Sequence, residues 1–366
     1  MRIIHLIRCT TWGGGERYAL DLCRKFAEEG HDVCIVTRGI PEMDSRFSYL
    51  PVRMEKMPLG GFLDFTSPSR LARLIESFPE EEIVVHVHNF KDAELAARAK
   101  GMLGKGKRMK LVCTRHLVKK GKGGLRWKWL YNSIDAMIFV SQLALDEFLS
   151  GNPPIDERKL SVVPNSIILP QEYTSPSPLP GKTPLRVLFT GRIFPEKGIE
   201  PLLRSIPLLN DLPLMFRLVG TGEEGFVASM KALVKKLGIE GKVEWAGFVA
   251  DVYKEIEEAD ICVAPSLWRE PFGLTLLEFM SQARPVVTTD NGAQHEILTD
   301  GKEGLLIPPG NPEALASAIR TLAENPEKRK QMGEAGKATF LRQFSYDLFY
   351  QRILKIYGSA APLPKN

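Results

Sequence analysis

The sequence predicts an α/β protein of two Rossmann-like, doubly wound domains facing a central cleft. Three observations carry this. Short apolar runs rich in Val, Ile, Leu and Cys recur along the chain, separated by longer helical stretches. The runs are continuous rather than alternating, as expected of parallel strands covered on both faces. The rhythm breaks once, over residues 166–184, and then restarts.

Each element follows from local signals. Residues 2–8 read as a buried first strand. Gly13-Gly14-Gly15 is the turn that opens a helix over about 16–29, which Gly30 ends. Residues 33–37, 83–88, 110–115 and 136–140 are further strands, and Ser141 caps the helix after the last of them. Residues 166–184 contain five prolines and read as an interdomain linker. Beyond it lie strands at 185–190, 215–219, 243–245, 261–264 and 286–289. The expected boundaries are 1–165, 166–184 and 185–345, with an amphipathic segment in 346–366 crossing back onto the first domain.

The composition, 366 residues with 44% apolar and 25% charged, is that of an ordinary globular protein. No apolar run reaches the ~20 residues that span a bilayer, and the N-terminal run is too short for a signal peptide. The five cysteines, Cys9, Cys23, Cys34, Cys113 and Cys262, lack metal-like spacing. Four sit in apolar segments, so reduced thiols and a cytoplasmic location are expected.

The net charge of +5 lies in the first half. Residues 1–180 hold 26 Lys/Arg and 21 Asp/Glu, whereas residues 181–366 hold 23 of each. Residues 101–130 contain ten basic side chains and no acidic one. Mixed with Trp127 and Trp129, they suit an anionic membrane surface or an acidic glycan, or else form a solvated face. The charge is too modest for nucleic acid, which is not expected as a partner.

Several motifs fall at predicted strand ends. Gly191-Arg192-Ile193-Phe194-Pro195-Glu196-Lys197-Gly198 follows a strand, and Arg192 and Lys197 offer a fork and a point charge to a diphosphate. The alternative is a surface ion pair with Glu196. Gly220-Thr221-Gly222-Glu223-Glu224-Gly225 matches G-x-G-x-x-G, the dinucleotide fingerprint, with Glu240 or Glu244 about 20 residues on. It lies on the second strand–helix unit of its domain, and its two acids disfavour a pyrophosphate, so a tight turn beside a base or ribose is preferred.

Glu270-Pro271-Phe272-Gly273-Leu274-Thr275-Leu276-Leu277-Glu278 sets two carboxylates around a turn that opens a helix. Free amides at a helix start suit phosphate or sugar hydroxyls, and a carboxylate one turn in can hold a ribose diol. Taken alone, the segment equally fits acids placed for the helix dipole. Gly14 and Gly15 let backbone amides approach a phosphate or sugar. His88 and His116 each end a strand, and a strand-end histidine facing a cleft can bond a reacting hydroxyl. No H-x-x-x-H, H-E-x-x-H or nucleophile-elbow pattern occurs, and Gly101–Arg108 lacks the Ser/Thr of a P-loop.

Taken in order, R-x4-K-G at Arg192–Gly198, G-x-G at Gly220–Gly222, E-P-F-G-L-x-x-x-E at Glu270–Glu278, Ala283-Arg284-Pro285-Val286-Val287 and Asp300-Gly301-x-x-Gly304 resemble a group 1 (family 4) retaining glycosyltransferase of the GT-B fold. The resemblance covers nearly the whole chain. It implies that the first domain takes the acceptor and the second a nucleotide-sugar, a UDP-sugar above all, with no metal and no cofactor. Arg192 and Lys197 would neutralise the leaving diphosphate, and Glu278 would hold the ribose. Glu270, with the backbone of Phe272, Gly273 and Leu274, would contact sugar and diphosphate. His116 would touch the donor sugar, while Gly14, Gly15, Gly191, Gly222 and Thr275 would line the donor site.

The chain departs from the family pattern at Pro164-Asn165-Ser166-Ile167-Ile168 and Gly292-Ala293-Gln294-His295-Glu296. The expected activity is sugar transfer to a glycan or lipid-linked acceptor in lipopolysaccharide or other cell-envelope synthesis, peripheral on the inner membrane face. The alternatives are a soluble acceptor, an NAD-dependent oxidoreductase or a non-catalytic sugar-binding module.

Overall fold

The computed structural model describes residues 1–8, 12–60, 64–175 and 177–358. Cys9 and residues 359–366 of the last predicted segment therefore lie outside the described residues. The chain forms two compact units, residues 1–165 with the helix Tyr346–Gly358, and Ser166–Ser345.

Among the described residues the first unit holds seven strands: β1 (Arg2–Ile7), β2 (Asp32–Thr37), β3 (Arg53–Lys56), β4 (Glu82–Val87), β5 (Arg108–Arg115), β6 (Ala136–Phe139) and β7 (Leu160–Val162). They form one parallel sheet in the order β3-β2-β1-β4-β5-β6-β7. The second unit holds β8 (Leu185–Thr190), β9 (Leu214–Val219), β10 (Val243–Gly247), β11 (Ile261–Ala264), β12 (Val286–Thr289) and β13 (Gly304–Ile307). These form a parallel sheet in the order β10-β9-β8-β11-β12-β13.

Central strands are buried almost throughout: Ile3, Ile4 and Leu6 of β1 are fully covered. Covering both faces explains the unbroken apolar runs. The helix Gly14–Glu28 closes one face through Ala19, Leu22, Cys23 and Phe26, spaced three or four apart. Truncating Phe26 to alanine would cost ~3–5 kcal/mol. On the same face, Phe349, Tyr350, Ile353, Ile356 and Tyr357 of the final helix join that core, with Tyr357 stacked on Phe26 at 5.0 Å. Ser141 accepts from the Ala144 amide at 3.2 Å and caps its helix.

Residues 166–184 are tied onto the second unit. The Tyr173 ring stacks on Tyr253 at 5.2 Å, the Gly181 amide donates to Asp260, and the buried Arg284 guanidinium donates to the carbonyls of Ser177, Pro178, Ile256 and Glu257. The four described cysteines, Cys23, Cys34, Cys113 and Cys262, are buried thiols. Burial pushes Cys34 and Cys113 up to about 12, so neither is a thiolate at neutral pH.

Candidate donor site and histidine cluster

In the second unit the chain runs from β8 outward to β9 and β10, then returns to β11 on the other side of β8. The carboxyl ends of β8 and β11 flank this reversal, the position at which open parallel sheets bind ligands. One loop carries Gly191, Arg192 and Lys197. The other carries Glu270 and leads into the helix Leu274–Ser281.

Lys197 Nζ is ion-paired with Glu270 Oε1, and both side chains are largely covered. Ser266 Oγ lies 3.0 Å from the same carboxylate oxygen and 3.1 Å from the Glu196 carbonyl, which its single proton must share. The Leu267 and Trp268 amides donate to that carbonyl too, stitching the loops together. Gly198 sits at φ +73°, and a Cβ there would collide with the Pro265 carbonyl. The expected alternative, a Lys197 or Arg192 pair with Glu196, does not form. Lys197 turns to Glu270, and the exposed Arg192 guanidinium lies 5.1 Å from the Phe194 ring centroid.

Gly273, at φ +121°, opens the helix Leu274–Ser281. No side chain caps this end, and the Leu274 and Thr275 amides come before the first intrahelical bond, which the Leu276 amide makes to the Gly273 carbonyl. Leu274, Thr275 and Glu278 are half-buried, and Glu278 shares a face with Leu274 four residues before it. The Phe272 ring is buried against Phe344 at 5.9 Å, which leaves only its backbone to face a ligand. Thus the structure joins Lys197 to Glu270 and sets Arg192 and Glu278 on the flanking loop and helix.

The glycines of G-x-G have a packing cause. A Cβ on Gly220 would strike the Gly191 carbonyl, and one on Gly222 the Ile193 carbonyl. The loops after β8 and β9 lie against each other there, and Ile193 bridges to Gly222. Gly225 has nothing within 4 Å of its would-be Cβ, so it does not bring helix and strand together as the third glycine of a dinucleotide fingerprint would.

Sequence reasoning missed the supports of Glu270. A Cβ on Gly292 would come within 2.6 Å of the Glu270 amide nitrogen and carbonyl oxygen, and the Ala293 amide donates to that carbonyl at 3.0 Å. Thr289 Oγ1 bonds the Ser266 carbonyl at 2.7 Å, and Asn291 Nδ2 the Leu267 carbonyl at 3.0 Å. The glycine of the altered Gly292–Glu296 pattern was the available signal.

In the first unit the order reverses between β1 and β4. His5 and His86 are paired there in register, His88 follows β4, and His116 follows β5. Gly14 and Gly15 start the helix after β1, and a Cβ on Gly15 would lie 3.6 Å from His116 Cδ2. Tyr18 packs edge-on against His116 at 4.8 Å. His86 is held by the Tyr357 phenol at 2.6 Å and Thr114 Oγ1 at 2.7 Å.

Burial is the main cause that lowers the imidazole pKa values. It pushes His5 down to about 3, and burial with the Arg115 charge pushes His116 down to about 4. His86 and His88 are held well below the usual range by burial and by neighbouring imidazoles. All four are therefore neutral at pH 7.

The sequence had offered His88 and His116 only as separate strand ends, because β-register, not spacing, joins them to His5 and His86. Ligand nitrogens of His5, His86 and His88 lie within 4.8 Å of one another, close enough to consider a metal. Five of their six ring nitrogens already have protein partners, however, and a metal would have to displace them.

Two family models match consecutive stretches, Glycosyltransferase Family 4 over residues 12–169 and Glycosyl transferases group 1 over residues 171–339. The chain belongs to the group 1 / family 4 glycosyltransferases. Among curated relatives, it is 34% identical over 164 residues to a putative glycosyltransferase, EpsD, of Bacillus subtilis. It is 32% identical over 209 residues to the phosphatidyl-myo-inositol mannosyltransferase of Mycobacterium leprae. These matches cover 45% and 54% of this chain and 42% and 53% of the relatives, so the chain spans about half the length of the curated relatives it matches. The solved structure of Anabaena HepE in complex with UDP and glucose superposes with a TM-score of 0.81 at 19% identity, covering 98% of this chain and 100% of that one. That likeness shows the fold, the two-domain α/β GT-B architecture.

Proposed function

We propose that this chain is a retaining, metal-independent glycosyltransferase moving a sugar from a UDP-sugar to a glycan or lipid-linked acceptor of the cell envelope. The carrying observation is the Lys197–Glu270 pair at the β8/β11 switch point, beside an uncapped helix start. Relatives support the class: one is named a phosphatidyl-myo-inositol mannosyltransferase, another a lipopolysaccharide core glycosyltransferase, and HepE was solved with UDP.

Breaking the sugar–phosphate bond puts negative charge on the diphosphate and positive charge on the sugar. A diphosphate outcompetes one carboxylate for Lys197, and Arg192 and the Leu274–Thr275 amides add donors. Glu270, released from Lys197, turns to the sugar, and Glu278 takes the ribose hydroxyls. Gly222 lets the adjoining loops close on each other, Gly191 at φ +144° turns the chain there, and Gly14, Gly15 and His116 serve the sugar from the first unit. Retention follows from front-face displacement, in which the departing phosphate takes the acceptor proton. Glu270 is not a covalent nucleophile in this scheme.

The lipid side rests on the basic stretch. Arg126 is paired with Glu94, Lys107 is tied to backbone carbonyls, and Trp127 packs on Phe90. Lys119, Lys120, Lys122 and Lys128 remain exposed beside Leu117, Leu125 and Trp129. No helix among the described residues is long and apolar enough to cross a membrane. In this reading these exposed cations meet the cytoplasmic face of the membrane peripherally.

Incubation with UDP-glucose, UDP-galactose and UDP-N-acetylglucosamine should release UDP. No turnover of these or of GDP- and ADP-sugars, with or without lipid extract, would refute the reading. Lys119, Lys120, Lys122 and Lys128 changed to Gln should weaken binding to anionic liposomes, by ~1 kcal/mol each, and unchanged binding would remove the membrane part.

A further inference from the structure

Three imidazoles of the first unit form a line. His5 Nδ1 lies 3.3 Å from His88 Nε2, and His88 Nδ1 lies 3.4 Å from His116 Nε2. The rings are nearly parallel in sequence, 12° apart between His5 and His88 and 27° between His88 and His116. At the inner end, His5 Nε2 is fully buried with no hydrogen-bond partner among the described residues. The outer ring, His116, is half-buried and lies against Gly15.

Proton counting restricts this line to two states. Three neutral imidazoles carry three protons. Each nitrogen–nitrogen contact holds one, because two lone pairs repel and two N–H groups collide. The third proton is then at one end, on His5 Nε2 or on His116 Nδ1. On His5 it would be an orphaned N–H in a sealed site, a group that folded proteins rarely leave unpaired. On His116 it meets water or a ligand. The second state is favoured, and it places a proton on Nδ1 of all three rings.

We propose that His88, backed by His5, is a positioning residue that holds His116 as the neutral Nδ1–H tautomer, an obligate hydrogen-bond donor toward an oxygen of the donor sugar. The sugar part rests on the function proposed above, whereas the tautomer does not. A neutral donor can grip a hydroxyl or ring oxygen without setting a cation beside a sugar that becomes positive as its bond to phosphate breaks. In this tautomer Nδ1 has no lone pair, so His116 does not act there as a base toward the acceptor hydroxyl. The ladder thus assigns a direction to a contact that a lone histidine would leave open.

The test is nitrogen-15 NMR of the full chain labelled at its imidazoles, first without nucleotide. The expected spectrum shows Nδ1–H on His5, His88 and His116, with through-hydrogen-bond nitrogen couplings at both contacts. Nε2–H on His116 would overturn the proposal, and this wild-type spectrum decides even if a variant fails to fold. His88→Phe removes the donor to His116 Nε2 and should return His116 to Nε2–H. His88→Asn keeps an amide N–H near the Nδ1 position and should restore Nδ1–H. A His116 tautomer unmoved by His88→Phe would contradict the positioning role. In the same variant, kcat/KM for the UDP-sugar should fall about tenfold, ~1.4 kcal/mol, with UDP affinity unchanged. Nδ1–H on His116 with no spectral response to UDP-sugar would leave the ladder standing and overturn its link to the donor sugar.

Discussion

At the switch point of the second sheet a lysine and a glutamate meet as ions, whereas at that of the first sheet four histidines meet without charge. Both sheets are parallel, and both reverse their strand order next to the strand that begins the unit. The same topology thus frames two kinds of chemistry. An ion pair can exchange one partner for a ligand anion, because a diphosphate can take the place of Glu270 at Lys197. Buried neutral imidazoles offer directed hydrogen bonds and resist becoming charged. On the proposed function, the second unit answers to the diphosphate and the first to the uncharged sugar.

That division is most exposed to Lys197→Ala. Loss of a donor aimed at the leaving group should lower kcat/KM about 10²–10³-fold, read as UDP release, and a smaller loss than that from His116→Ala would reverse the assignment. Gly222→Ala should lower unfolding stability by ~1–3 kcal/mol in denaturant titrations, because its methyl would press on the Ile193 carbonyl. Nucleotide affinity per folded molecule should hold, whereas a pyrophosphate-binding glycine would lose affinity first. His116→Ala should lower kcat/KM about tenfold, ~1.4 kcal/mol, with UDP binding unchanged, since UDP lacks the transferred sugar.

The smallest effect near neutrality grows with acid. Unfolded histidines take up protons below about pH 6.5, whereas His116 resists to about 4 and His5 to about 3. In that window the unfolded state binds more protons, so stability falls as pH falls. Among the described residues, the polar and charged groups recorded against the cluster are Tyr18, Thr114, Arg115 and Tyr357, and none of these is a carboxylate. Denaturant midpoints between pH 7 and 4 should drop in wild type and drop less in His5→Phe.

Much of this was legible in the chain. Ten of the strands announced themselves, since β-branched runs buried on both faces leave an unbroken apolar signal. The missed ones, Arg53–Lys56, Leu160–Val162 and Gly304–Ile307, are short, and Arg53–Lys56 is polar because it closes a sheet edge. Glu270 and Lys197 stood out because each sits beside a glycine or proline at a strand end. Their direct pairing did not, because 73 residues separate them and only the neighbouring of β8 and β11 brings them together. His5 and His86 were hidden inside apolar runs, and register alone shows that they share a face.

The central claim, a nucleotide-sugar donor held at the second unit's switch point, is tested most directly by calorimetric titration of UDP, GDP, ADP and NAD into wild type and Lys197→Ala. UDP should bind wild type, stabilise it by ~2.7 kcal/mol at 100 times Kd, and bind Lys197→Ala much more weakly. Tight NAD binding with no response to any nucleoside diphosphate, or UDP binding indifferent to Lys197, would contradict it.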